Sequence, residues 1–307
     1  MPKSVINALL AFATFLALLH GTMSAQGLAA QDLLSEYWQQ QADYDIRCTL
    51  DIEAKMLSGT EKLTYTNNSP DTLKRYFIHL YPNAYRDKES LLYQDFFPGT
   101  WVFLRGLREE SRGWIEIDSM TVGGEPADYV IDGTILRGKF KRPLPPGGTI
   151  IFDMAFREKI RRRIGRSGYI GNHYDMAQWY PKIVVYDKTG WHPDQFRMGE
   201  FYGEFGTYDV RITLPNQYVI AATGLPIEGD PGWTRNEKPK HKGGSGGGHP
   251  GGHPRRAPEA DVSGMKRGRD DAGLSMSLKT VHFRAVDVHD FAWCADPLYV
   301  VEETQVG

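Results

Sequence analysis

Histidine is spaced like a metal-binding motif at one place in the chain. His249 and His253 are four residues apart, and His241 lies nearby. A zinc peptidase motif of the form H-E-x-x-H requires a helix, which places both imidazoles on one face, and a glutamate base. Here Pro, Gly and Gly separate the two histidines, so neither the helix nor the base is present. We interpret this segment as a flexible loop that binds metal at most weakly.

A second run, DVHDFAWCADP, contains residue types that bind metals. They are Asp287, His289, Asp290 and Cys294. Their spacing matches no established metal site, so we predict no metal here. We interpret the run as a corner formed by the last strands.

A basic run extends from Arg157 to Arg166. Such a run can bind an anionic group, but it is more typical of a solvated strand end or loop. The chain has 36 Lys and Arg against 38 Asp and Glu, a net charge of −2. Nucleic-acid binding is therefore not expected.

Two common catalytic motifs do not occur in the sequence. There is no G-x-S-x-G elbow for a hydrolase serine and no G-x-x-x-x-G-K-[ST] phosphate loop. Read by its residues alone, the sequence indicates an exported β-domain with an aromatic, polar surface.

The N-terminus has the features of an export signal over residues 1–25. Lys3 supplies the positive charge, Leu9–Leu19 is apolar, and cleavage after Ser24 or Ala25 fits the small residues there. The apolar run is shorter than the roughly 20 residues that a membrane span needs. We therefore expect a periplasmic or extracellular protein without a stable membrane span.

The elements that follow are mostly strands. A short N-terminal helix is predicted over Gln31–Gln41, and Arg75–Tyr85 is predicted as one buried strand because it is apolar on both faces. Elsewhere apolar and polar residues alternate between Gly-, Pro- and Asn-rich turns. The pattern favours a mainly β fold, an antiparallel β-sandwich or curled sheet, over residues 30–307. The remaining predicted strands are DYDIRCTLDIEAK, SGTEKLTYTNNSP, WIEIDSMTV, ADYVI, TILRGKF, TIIFDMAF, YDVRITLP, QYVIAATG and LKTVHFRAV.

One segment of this domain differs from the rest in composition, and the pairing of its two cysteines is left open. Residues 235–276 are rich in Gly, Pro and charge, which predicts a disordered insertion between two strands. The two cysteines, Cys48 and Cys294, are far apart in sequence. We favour two unpaired thiols, although a disulfide is open to an exported protein.

Several segments together resemble one family. The run MAQWYPKIVVYDKTGWHPDQFRMGEFYGEFGTYDVRITLP, followed by YVIAATG and VHFRAVDVHDFAWCADPLYV, is similar to the N-terminal β-domain of gluzincin zinc aminopeptidases, the membrane alanyl aminopeptidase family. Tyr44–Tyr85 is similar to that domain's opening strands. The resemblance covers Tyr37–Gly307 except the insertion.

The resemblance implies a metallopeptidase whose zinc site lies elsewhere. In the family, a catalytic domain with H-E-x-x-H and a downstream Glu follows the β-domain, together with a G-x-M-E-N-type segment. None of these motifs occurs in the 307 residues. We expect a chain that ends before its catalytic domain. It would bind no zinc and be inactive alone, while the parent protein would be a zinc-dependent hydrolase of peptide N-termini.

The same resemblance assigns a role to Gln178. At the matching position the family has a Gln or Glu that helps bind the free α-amine of the peptide substrate, and a side-chain oxygen is a suitable acceptor for an ammonium group. Gln178 is therefore the candidate substrate-binding residue, oriented by Trp179, Tyr180 and Pro181. The alternative from the residues alone is an ordinary amide at a strand end.

A different class of function is also open. The domain could act alone as a non-catalytic binding module that holds a peptide, a glycan or a protein partner on its Tyr and Trp surfaces.

The composition of the insertion leads to a prediction. We expect limited proteolysis of the purified chain to cut first within Gly243–Gly273, because exposed Gly-rich backbone fits a protease cleft most easily. Mass spectrometry of the earliest fragments locates the cut. A first cut in the strands on either side would contradict a disordered insertion.

Overall fold

The fold is known from a computed structural model that describes residues 37–94, 108–197, 199, 201–233 and 277–302. The export signal and the insertion at 235–276 lie outside the described residues, so both stay predictions. Strands dominate the described part of the chain and pair almost entirely in antiparallel fashion, which confirms the predicted fold class.

The strands of the described ranges are between 2 and 11 residues long. In order they are β1 (Gln41–Asp51), β2 (Met56–Thr66), β3 (Leu73–His79), β4 (Trp114–Val122), β5 (Glu125–Pro126), β6 (Tyr129–Asp132), β7 (Ile135–Leu144), β8 (Thr149–Lys159), β9 (Gly168–Ile170), β10 (His173–Met176), β11 (Lys182–Ile183), β12 (Tyr186–Asp187), β13 (Gly190–Trp191), β14 (Gly206–Pro215), β15 (Val219–Ala222), β16 (Leu225–Glu228), β17 (Leu278–Val288) and β18 (Trp293–Asp296).

The largest sheet has eight strands in the order β16-β17-β14-β1-β2-β8-β4-β5. Its pairs are antiparallel except β1 with β14, which run parallel with Tyr44 beside Tyr208. Parallel neighbours need a long connection. Here that connection contains all of the four-stranded sheet β11-β3-β7-β6 and two strands, β9 and β10, of the other four-stranded sheet, β15-β18-β10-β9.

The smaller sheets pack on the inner face of the large one. Tyr76 of β3 meets Phe152 of β8 edge to face, with ring centroids 5.1 Å apart. Trp179, between β10 and β11, lies 6.3 Å from Phe156 of β8. The result is a layered β fold with one apolar core between the sheets.

Alternation along the strands works as predicted where one face is buried. In β1, Ile46, Cys48 and Leu50 are buried while their neighbours point outward. In β14, residues Tyr208 to Leu214 alternate in the same way. Cys48 and Cys294 are both free thiols.

The prediction of one strand over Arg75–Tyr85 is wrong in its second half. β3 ends at His79, and Tyr81–Tyr85 forms a buried 3-10 helix with Pro82 in its first turn. Proline lacks an N–H for the sheet ladder and suits the start of a helix, which ends the strand there. A one-turn α-helix follows at Leu91–Gln94, and a second 3-10 turn lies at Glu109–Ser111.

The predicted N-terminal helix can be examined only over its last five residues. Residues 31–36 lie outside the described residues, residues 37–40 are not helical, and Gln41 begins β1. The Gln40 side chain explains the extended backbone, because its Oε1 accepts a 2.6 Å hydrogen bond from the Asn68 N–H. This contact with a distant turn outweighs weak helix propensity.

Two carboxyl groups lie inside the large sheet. Glu61 of β2 and Glu158 of β8 are 2% and 1% exposed. Within the described residues, neither oxygen of Glu61 has a hydrogen-bond partner, and Oε2 of Glu158 has none. Burial raises the pKa of Glu158 to about 8, so this side chain is neutral at pH 7.

This burial makes stability depend on pH. An unfolded Glu158 loses its proton near pH 4.5, whereas the folded side chain keeps it up to about pH 8. The folded state therefore binds the extra proton in this window, and the free energy of unfolding falls as pH rises, by up to about 1.4 kcal/mol per pH unit. Glu158→Gln should flatten this slope in urea denaturation, whereas Glu125→Gln on the surface should not. If Glu158→Gln left the slope unchanged, Glu158 would not be the source of the pH dependence.

Candidate substrate-binding site

Two connecting segments run side by side and form the candidate site. The first, residues 177–181, joins β10 to β11 and contains Gln178. The second, residues 289–292, joins β17 to β18 and contains Asp290. Met176 pairs with Trp293 across β10 and β18, so the segments meet at the end of this ladder.

Trp179 anchors the first segment to the second. Its side chain is fully buried, and its indole N–H donates a 3.0 Å hydrogen bond to the carbonyl oxygen of Phe291. Its ring also meets that of Trp293 edge to face, with centroids 6.2 Å apart. Packing and a hydrogen bond thus fix the backbone on one side of Gln178.

The backbone of Gln178 is in an uncommon conformation. Its φ is +51°, in the left-handed region that favours glycine. A non-glycine residue there costs of order 1 kcal/mol and tends to occur where a side chain is aimed for function. Only 9% of Gln178 is exposed.

The side chain of Gln178 meets a carboxylate. Its Nε2 donates a short hydrogen bond to Oδ2 of Asp290. The other oxygen, Oδ1, accepts from the hydroxyl of Tyr180 at 2.9 Å and from the backbone N–H of Phe291 at 2.9 Å. Burial raises the pKa of Tyr180 well above its usual range, so this hydroxyl keeps its proton and donates.

A buried lysine completes the surroundings of Asp290. Lys182, which is 1% exposed, places Nζ 3.4 Å from Oδ1 of Asp290 and donates a 2.6 Å hydrogen bond to the carbonyl oxygen of His289. Burial lowers the pKa of the Lys182 ammonium, and Asp290 opposes this shift. The pair places one positive and one negative charge beside Gln178, so the site has little net charge.

His79 lies behind Lys182 in the same interior. Burial and, secondarily, the charge of Lys182 lower the pKa of His79 to about 3. The imidazole is therefore neutral at neutral pH, and its ring stacks on Tyr81 with centroids 4.5 Å apart.

Some of the residues singled out from the sequence lie together at this site. Gln178 lies in it, and Trp179 and Tyr180 orient its segment as expected. Asp290, interpreted from sequence as part of a corner, lies in the connection between β17 and β18 and is the hydrogen-bond partner of Gln178. Tyr180 and Lys182 as partners of Asp290 were missed, because nothing in the local sequence relates two segments so far apart.

The candidate metal ligands do not converge. Cys294 is in β18 opposite Asp175 and Ala221, while Asp287 lies in β17 with φ +54°. Among the described residues, no group of three or more His, Cys, Asp or Glu side chains could hold a metal ion. The HPGGH histidines lie outside the described residues.

The basic run Arg157–Arg166 is the end of β8 and the largely exposed loop after it, as expected, except at Arg161. Arg161 is buried, with its guanidinium 3.7 Å from the ring centroid of Tyr85. Arg163 forms an ion pair with Asp175 at 2.9 Å. Both arginines therefore have structural roles, the first as a cation–π contact.

Comparisons with known proteins give structural similarity only. No protein-family model and no curated protein match the chain. The chain is similar to the M1 zinc metallopeptidase of Deinococcus radiodurans, including a mutant bound to a Tyr-Ser-Ala substrate, with a TM-score of 0.44, 15% identity, and coverage of 84% of this chain and 42% of that one. A two-domain M1 zinc metallopeptidase mutant bound to L-tryptophan gives a TM-score of 0.44 and 15% identity over 85% and 43%. The chain thus spans about two fifths of the length of these structures.

No helix in the described ranges has the length and hydropathy that crossing a membrane requires.

The left-handed backbone of Gln178 can be tested by comparing two truncations. Gln178→Ala and Gln178→Gly both remove the side chain and its hydrogen bond, but only glycine relieves the strain. We expect the glycine variant to be more stable by about 1 kcal/mol in chemical denaturation.

Gln41 provides the matched control, because it is exposed at the start of β1. There the order should be reversed, with Gln41→Ala more stable than Gln41→Gly, as glycine weakens an ordinary strand. Equal stability of the two Gln178 variants would contradict the strained conformation.

Proposed function

We propose that this chain is the substrate-cleft domain of an exported zinc-dependent aminopeptidase, in which Gln178 binds the free α-ammonium group of a peptide substrate. The observation that carries the proposal is the way Gln178 is held, with a left-handed backbone and an amide tied to a carboxylate. Non-glycine residues in this backbone conformation cluster at functional sites. The motif MAQWYPK, which resembles the family at this position, supports the same role.

The chemistry of the amide suits an ammonium ligand. The carbonyl oxygen of Gln178 accepts hydrogen bonds, and an ammonium group is a donor with a full positive charge. Only the N-terminal end of a peptide offers such a group on its backbone. A domain that binds it would confine the enzyme to removing residues from peptide N-termini.

The metal chemistry belongs to a separate domain in this proposal. The described residues offer no group of side chains that fits a zinc ion, so we derive no step at zinc from them. The domain's own contribution is to bind and orient the substrate amine. Export to the periplasm or exterior is proposed from the predicted signal at residues 1–25.

Binding of a free amine tests the proposal directly. Isothermal titration of the 307-residue chain should detect L-alaninamide but not N-acetyl-L-alaninamide, which lacks the ammonium group. Gln178→Ala should weaken L-alaninamide binding about tenfold or more, because a charge-assisted hydrogen bond is lost. Gln41→Ala, at the exposed start of β1, is the control and should bind like the unmodified chain.

The other outcomes separate the alternatives. Equal binding of L-alaninamide and N-acetyl-L-alaninamide would favour a stand-alone binding module that does not recognise the free amine. Binding of neither amide, or a Gln178→Ala variant with unchanged affinity, would contradict the assigned role of Gln178.

A further inference from the structure

We propose that Asp290 is a positioning residue: it fixes the amide of Gln178 so that the carbonyl oxygen, and not the NH₂ group, faces the peptide ammonium. The inference rests on the proposed function for its ligand. It adds a residue that acts through Gln178 and that lies 112 positions away in the sequence.

Orientation matters because a glutamine amide has two unlike ends of nearly the same shape. The oxygen accepts hydrogen bonds, while the NH₂ group only donates them. An amide turned the wrong way would present N–H groups to a cation and repel it. A glutamine that binds ammonium therefore needs a partner that distinguishes its two ends.

Asp290 is such a partner because its own surroundings consist of donors. Oδ1 accepts from the Tyr180 hydroxyl and the Phe291 N–H, both at 2.9 Å, and faces Nζ of Lys182 at 3.4 Å. A carboxylate held in this way can only accept at Oδ2. The Gln178 amide must therefore turn its NH₂ group toward Asp290, which leaves its oxygen on the other side.

The hydroxyl of Tyr180 also donates its proton to Asp290. Its oxygen lies 3.0 Å from the hydroxyl oxygen of Tyr208, and both rings are fully buried. Tyr180 has a single hydroxyl proton, and the carboxylate can take part only as an acceptor. The proton of Tyr180 therefore goes to Asp290, and Tyr208 supplies the proton between the two tyrosines.

Lys182 gives the arrangement its charge balance. Without a cation nearby, the Asp290 carboxylate would itself be the strongest acceptor for a peptide ammonium. Lys182 is buried beside Asp290 and forms an ion pair with it, so this carboxylate already has a partner without the ligand. The neutral amide of Gln178 is then the acceptor that remains for the ligand.

A spectroscopic experiment tests the orientation without any ligand. The side-chain amide of Gln178 in the ¹⁵N-labelled chain should show protons that exchange slowly with water, and Asp290→Asn should shift these resonances. The amide of Gln195, which donates to the Asp132 carbonyl at 2.6 Å, is the internal control and should not move. Unshifted Gln178 resonances in Asp290→Asn would overturn the inference.

Should Asp290→Asn fail to fold, the unmodified chain still decides the matter. Exchange of the Gln178 amide protons as fast as in an unstructured peptide would overturn the proposed hydrogen bond, and slowed exchange would support it.

A reciprocal exchange of groups tests the role in binding. Asp290→Asn should weaken L-alaninamide binding about tenfold, because the Gln178 amide is free to turn. Combining it with Gln178→Glu should restore affinity to within about threefold, since the new asparagine donates to one glutamate oxygen and the other faces the ammonium. A purely structural Asp290 would not be rescued in this way.

The outcomes distinguish this inference from the function on which it rests. If the unmodified chain binds L-alaninamide and Asp290→Asn binds it equally well, the positioning role is wrong while the function stands. If the unmodified chain does not bind the amine, the proposed function fails, and the Gln178 amide resonances alone decide whether Asp290 orients it.

Discussion

The partly buried carboxylate of Asp290 is the group on which the candidate site depends. It joins the connection between β17 and β18 to the connection between β10 and β11 through Gln178, Tyr180 and Lys182. Lys182 is 1% exposed, and removal of its partner would leave a charge in an apolar interior. The site and the local fold are therefore held by the same group.

The polar groups around this carboxylate are embedded in aromatic packing. Tyr44 stacks on Tyr208 with ring centroids 4.6 Å apart, and Tyr180 meets Tyr44 edge to face at 5.4 Å. The hydroxyl of Tyr44 accepts a 3.1 Å hydrogen bond from the N–H of Ile183. Rings thus fill the space between the sheets, while hydroxyl groups hydrogen-bond the chain that crosses it. This combination leaves the segment around Gln178 little freedom to move.

Local sequence patterns predict the structure reliably where every second residue of a strand is buried. Alternation predicts the inward residues of β1 and β14, where the structure has them. The same patterns failed at Tyr81–Tyr85, where Pro82 ends the strand, and before β1, where a contact of Gln40 with the distant Asn68 holds the chain extended. Both failures arise where a local preference competes with a proline or a long-range hydrogen bond.

The sequence alone determined most of the longer strands, their inward faces and the position of Gln178, since these follow from residue type, spacing and the motif around it. It also lacks an H-E-x-x-H motif anywhere in its 307 residues. Only the tertiary structure decided that Gln178 meets Asp290, that Lys182 is buried beside them, and that Arg161 lies inside rather than in solvent. The reason is physical: such contacts depend on the registers of several sheets at once, and no short segment of sequence contains that information.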